Sequence, residues 1–193
     1  MKKIFFTAIT VLGFTFNAYA QECGTLSPAN YQTYERTPEE RGFERTNIEY
    51  APEICLNVYY PVLREDNGTE GFDENELKDI TSLLNQSYNS HNIYFSELGH
   101  DLINDGALLY VNSDSDFDYL ISQNNPPNAI NIYLVKYAYF SGRAVIGGNS
   151  FVVRNNKALT STTPHEMGHC LNLFHTHHGT VYEEGGDTNQ CAN

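Results

Sequence analysis

An α/β (α+β) domain carrying a twisted mixed sheet is what this sequence predicts, and three observations predict it. Residues Ile54 to Leu63 alternate, with Ile54, Leu56, Val58, Tyr60 and Val62 on one face, as in a half-buried strand. Leu77, Ile80, Leu84 and Tyr88 then recur at helical spacing behind Asp73, a residue suited to capping a helix. The stretch Ala129 to Tyr137 is the most apolar strand candidate and reads as central. Strand, helix, further strands and a last helix in that order make a sheet with a backing helix.

Taken in order, the chain opens with a targeting segment. Lys2 and Lys3 precede an apolar stretch from Ile4 to about Phe16, and Ala18-Tyr19-Ala20 supplies small residues around a cut before Gln21. Residues 1–20 therefore read as a signal peptide, too short and too polar for a membrane anchor, and the product is expected to be secreted, extracellular or periplasmic. Residues 21–50 are polar, hold Arg36, Arg41 and Arg45, and read as a leader or prosegment. Past the first strand, Arg64 to Gly71 is a loop with an Asn-Gly pair. Short strands are expected at Ile93 to Phe95 and Ala107 to Val111. A short helix is expected from Asp114 to Gln123, ended by Asn-Pro-Pro. Tyr139 to Asn149 reads as a Gly-containing loop, Ser150 to Val153 as a short strand, and a final helix begins near Ser161. There is no internal repeat.

Composition bounds the partners. The 193 residues carry a formal charge of −13, and without Lys2 and Lys3 the remaining 173 carry −15. That length suffices for one domain with its own core. So acidic a surface argues against nucleic acid and anionic membrane, and most of it is solvated face that could attract calcium (Ca2+) or a basic substrate. Of the four cysteines, Cys23, Cys55, Cys170 and Cys191, zero or one disulfide bond is expected.

The chemistry lies in His165-Glu166-Met167-Gly168-His169, followed by His175. Histidines four apart share one face of a helix, so both imidazoles reach one ion. A third ligand and an open fourth position are what a catalytic zinc site needs, with Glu166 placed to take a proton from water. Pro164 is acceptable only in a first turn, which sets the helix start at Ser161 to Thr163. Were Thr163 the N-cap, Glu166 would instead complete a capping box. A continuous helix would carry His175 to another face, so Asn172, tolerant of the left-handed region, is expected to end it. Leu171, Leu173 and Phe174 are expected beneath that turn. His177 and His178 are rival third ligands, otherwise solvated loop residues; His91 and His100 read as surface residues.

The string from His165 to His177, with Asn172 where glycine is usual, resembles the signature of the metzincin metallopeptidases, and most of all their pappalysin-like branch. The resemblance covers roughly residues 50 to 178, drawing in the strand near Tyr59, the Leu84-Asn85 helix, the Asn92-Ile93-Tyr94-Phe95 strand and Gly147-Gly148-Asn149. It implies a metzincin-like upper subdomain and one catalytic zinc (Zn2+) held by His165, His169 and His175. It further implies a protein or peptide substrate and Glu166 as general base toward the zinc-bound water. Residues Gly148 to Val153 would form the sheet edge above the cleft. The family's methionine turn has no counterpart, since Met1 and Met167 are the only methionines. Residues 51–193 are accordingly expected to be a C-terminally incomplete catalytic domain, its C-terminal subdomain largely absent. The alternatives are a catalytically inactive or truncated metzincin-fold zinc-binding protein, or a zinc hydrolase with Glu183 or Glu184 as carboxylate ligand. The resemblance gives the Cys23-Gly24-Thr25 segment a latency role, its Cys-Gly at the open zinc position, against a disulfide from Cys23 to Cys55. Cys170 reads as a buried thiol, and Cys191 as half of a pair whose partner lies in absent sequence.

Overall fold

A computed structural model describes Thr25, residues 52–123 and residues 125–175. Five strands form one sheet: β1 (Ile54–Arg64), β2 (Ile93–Asn104), β4 (Ile130–Val135), β6 (Gly142–Ala144) and β7 (Ser150–Arg154). Their spatial order is β2-β1-β4-β7-β6. All neighbours run parallel except β6, which pairs antiparallel to β7. The two-residue strands β3 (Tyr110–Val111) and β5 (Tyr137–Ala138) pair separately. The helices are α1 (Leu77–Tyr88), α2 (Asp114–Ile121) and α3 (Thr162–Cys170). The expected α/β class with a mixed sheet is what forms, with β4 at its centre.

Strand periodicity divides the core into two layers. On β4, Ile132 and Leu134 face one side with α1 and α3, while Tyr133 and Val135 face the other with Phe117 and Leu120 of α2. β7 splits the same way, Phe151 and Val153 against Val152. Both faces are covered, which is why these strands read as unbroken apolar runs. Leu77, Ile80 and Leu84 of α1 are fully buried, and each such side chain stabilises by about 1.5–3 kcal/mol relative to exposure. Asp73 caps the turn before α1 by accepting from the Asn75 N–H. Asn85 pins α1 to β2, its Oδ1 accepting from Phe95 N–H and its Nδ2 donating to Phe95 carbonyl, at 2.8 and 2.9 Å.

Several boundaries differ from expectation: the strand expected over Ala107 to Val111 shortens to β3, and that expected over Ala129 to Tyr137 divides into β4 and β5. β2 runs to Asn104 instead of ending at Phe95, because an edge strand keeps polar residues such as Ser96, Glu97 and Asp101 on its exposed positions and loses its alternation. Residues 139–149 are not all loop: they contain β6. Consequently Gly148 to Val153 is not the sheet edge. β7 lies between β4 and β6, and the edge is Gly142–Ala144. Among the described residues, no helix is long and apolar enough to cross a membrane.

Candidate metal centre

Helix α3 is built to bury one face and present another. Ser161 precedes it without a side-chain cap, and Thr163 donates its hydroxyl to the Ala158 carbonyl at 2.7 Å. The capping-box reading of Glu166 therefore does not hold. Pro164 lies in the first turn, and its carbonyl accepts from the Tyr88 hydroxyl at 2.6 Å, tying α3 to α1. Met167 and Cys170 enter the core on the sheet side. Gly168 admits the Tyr88 ring end, since a Cβ there would stand 3.2 Å from its oxygen.

The end of α3 delivers the third histidine. Asn172 adopts the left-handed conformation, φ 67°. Leu173 N–H reaches the Gly168 carbonyl and Asn172 N–H the His169 carbonyl, both at 2.9 Å. These two bonds are the Schellman closure, in which a left-handed residue reverses the chain just past the last turn. The loop beside it is tied in as well, Gly147 N–H donating to the same His169 carbonyl. Leu171 is partly buried against the core, whereas Leu173 is exposed and does not pack beneath the turn as expected.

The result brings His165, His169 and His175 together. Their Nε2 atoms stand 3.2 Å (His165 to His169), 3.1 Å (His169 to His175) and 3.3 Å (His165 to His175) apart. Three corners of a tetrahedron around an ion with bonds of about 2.0–2.1 Å lie about 3.3–3.4 Å apart. The triangle fits a single ion of that size. His169 Nδ1–H donates to the Leu173 carbonyl at 2.7 Å, which places its proton away from the triangle and leaves Nε2 as a lone-pair donor. Among the described residues this is the one cluster of three or more His, Cys, Asp or Glu that could hold a metal ion.

Glu166 is fully buried on the neighbouring face of the helix, against β6. A Cβ on Gly142 would stand 2.7 Å from its Cγ, so only glycine lets the edge strand approach this closely. Its Oε2 accepts from the Thr25 hydroxyl at 2.8 Å. The Thr25 oxygen in turn accepts from Ala144 N–H, also at 2.8 Å. Sequence reasoning missed Gly142 and Ala144 as parts of this site, and brought Thr25 near it only as part of the Cys23-Gly24-Thr25 segment. Cys170 is a free, buried thiol; burial, then the nearby Glu166 charge, push it up to about 12.

The other candidates fall elsewhere. His91 and His100 are exposed, His100 lying beside Glu74 and Glu97. Cys55 is exposed and free, and Cys23, the other half of the expected Cys23–Cys55 pair, lies outside the described residues. Cys23, Cys191, His177, His178, Glu183 and Glu184 lie outside the described residues.

No family model matches the chain. It is 25% identical over 208 residues to an extracellular metalloprotease of Colletotrichum graminicola, an alignment covering 93% of this chain and 73% of that one. This chain is similar to a metalloprotease. The crystal structure of metalloproteinase-II from Bacteroides fragilis superposes with a TM-score of 0.46 at 16% identity, covering 66% of this chain. The match spans 46% of that protein's length.

Proposed function

We propose that this protein is a secreted zinc-dependent endopeptidase of the pappalysin-like metzincin type. Residues 1–20 would be its signal peptide, 21–50 its leader and 51–193 its catalytic domain. The observation that carries the reading is the convergence of three Nε2 atoms on one point, at the end of the helix that also holds a buried Glu166 against the sheet-edge strand β6. The similarity to an extracellular metalloprotease supports both hydrolysis and export.

His165, His169 and His175 would hold the ion through Nε2. When bound, zinc supplies a Lewis acid for the scissile carbonyl and lowers the pKa of the attacking water. Glu166 takes the proton from that water and gives it to the leaving amine nitrogen as the C–N bond breaks, so it ends the cycle as it began. Burial serves this role by keeping bulk water from screening the carboxylate. Ala144 N–H, on the side of β6 away from β7, donates to the Thr25 hydroxyl in this structure and would donate to the backbone of a peptide laid antiparallel along the edge in its place. His169 is oriented for its task by the Leu173 carbonyl.

The test combines metal content with hydrolysis of a quenched fluorescent peptide, before and after limited tryptic cleavage of the leader. One zinc per chain is expected in the wild type and in Glu166→Ala. The variant should lose about 10²–10⁴-fold in hydrolysis, the range of general acid–base contributions. His175→Ala should lose zinc. Zinc binding with no Glu166-dependent cleavage in either state would leave a metzincin-like zinc-binding protein without peptidase function. Undiminished zinc affinity in His175→Ala would remove that histidine from the ligand set.

A further inference from the structure

Strand β6 is three residues long and joins the sheet through three register pairs with β7. An edge strand that short frays readily unless side chains hold it. Toward α3 it can carry no anchor. Gly142 has no side chain, and a Cβ there would stand 2.6 Å from Thr162 Cγ2 and 2.7 Å from Glu166 Cγ. Ala144 offers one methyl to the same layer. The residue between them lies on the opposite face of the strand. Arg143 sits over the Phe117 ring, 4.3 Å from its centroid, and 6.0 Å from that of Phe140. Its Nη1 donates to Asp114 Oδ1 and to the Tyr139 hydroxyl oxygen, and that hydroxyl donates to the same Oδ1. The Arg143 side chain is 10% exposed and that of Asp114 66%. A buried guanidinium is costly when unpaired. Here the carboxylate stays in water while the guanidinium reaches it from the core through a charge-assisted bond.

We propose that Arg143 is a positioning residue for peptide hydrolysis: held from the α2 side, it fixes the line of β6 and so the backbone edge on which a peptide would lie. This rests on the peptidase reading of the site. The division of labour follows from the alternation of the strand. One face is bare, so that Glu166 and α3 can close on it. The other carries the only polar side chain of β6, gripped by α2 and by the Tyr139 that leads into the strand. A substrate backbone meets this edge in the ground state and the transition state alike, so loss of a fixed edge acts on KM more than on kcat. His165, His169 and His175 sit on α3 and the turn after it, so zinc binding does not depend on Arg143.

The test uses three variants of the full chain. Arg143→Met keeps an apolar stem over Phe117 and removes the cation; Arg143→Lys restores the cation without the flat fork. Asp114→Asn weakens the same bond from its solvent-facing side, and decides the matter should Arg143→Met fold poorly. The first readout, hydrogen–deuterium exchange, requires no catalysis. In Arg143→Met, Gly142–Ala144 should exchange about tenfold faster, the worth of one lost charge-assisted bond, with Ile130–Val135 of β4 unchanged. Zinc content should match the wild type in every variant. The second readout is hydrolysis of the quenched peptide, in the state where the wild type is active. KM should rise about tenfold in Arg143→Met and about threefold in Asp114→Asn, with kcat within about threefold. Arg143→Lys should fall between Arg143→Met and the wild type, and the double variant should be no worse than Arg143→Met, since both changes break one bond. Unchanged exchange and KM in Arg143→Met and Asp114→Asn overturn the proposal and leave the peptidase reading standing. So does exchange that rises equally in β4, or a loss confined to kcat. A wild type inert in every state overturns the peptidase reading and the role of Arg143 with it.

Discussion

Replacing Asn172 isolates how the third histidine is delivered. The residue is exposed at φ 67°, so the perturbation acts on backbone conformation and not on core packing. A left-handed conformation costs an ordinary L-residue about 1–2 kcal/mol, and asparagine less. Asn172→Ala should therefore add about 1 kcal/mol of strain, and Asn172→Val, with a branched Cβ, about 2 kcal/mol. The two closing bonds, Leu173 to Gly168 and Asn172 to His169, oppose unwinding. Because only the reversed turn brings His175 Nε2 within 3.1 Å of His169, strain there is subtracted from metal affinity. At about 1.4 kcal/mol per tenfold, zinc should bind about fivefold more weakly in Asn172→Ala and about thirtyfold more weakly in Asn172→Val. Asn172→Gly, free of the penalty, should bind at least as tightly as the wild type. Competition against a chromophoric chelator measures all three, with His175→Ala as the floor. An Asn172→Val chain with wild-type affinity, or a glycine variant as weak as valine, would refute the reasoning.

Two further substitutions probe the surroundings. In Gly142→Ala the new Cβ would stand 2.6 Å from Thr162 Cγ2 and 2.7 Å from Glu166 Cγ, forcing the carboxylate or the edge strand to move. Overpacking of this kind costs about 1–3 kcal/mol, so thermal melting should show a modest loss. Zinc content should persist while kcat falls at least about tenfold, as misplacement near the chemistry does; unchanged kcat would remove Gly142 from the site. Tyr88→Phe deletes the bond to the Pro164 carbonyl and should cost about 1 kcal/mol at pH 7. Burial, with the Cys170 charge behind it, pushes the Tyr88 phenol from 10.0 up to about 12. The protonated form is the one the fold favours, so its stabilisation is full below pH 10 and is lost as pH rises toward 12. Urea unfolding of the two chains should show their difference shrink above pH 10, and a gap unchanged at pH 11 would contradict it.

Much of the fold was legible because its elements bury whole faces. The alternation of β1, the spacing of Leu77, Ile80 and Leu84, and the apolar run of β4 each survive in the sequence, because burial on a regular element repeats with that element's period. What escaped was at the edges. β2 keeps polar residues along its outer half, and β6 is three residues long with a glycine and an arginine. Arg143 is buried over the Phe117 ring, 4.3 Å from the centroid, and paired with Asp114. Its apolar stem and planar head make that possible, and no periodicity announces it.

The candidate metal centre divides along the same line. The sequence by itself determined the three histidines and the reversal at Asn172, because their spacing lies within a single helix and its cap, where local geometry decides which side chains meet. Only the tertiary structure decided that the sheet edge beside Glu166 is Gly142–Ala144, and that Thr25 sits between that edge and Glu166. Contacts spanning 119 and 141 residues are selected by how the sheet and the helix pack. No pattern of neighbouring residues encodes them.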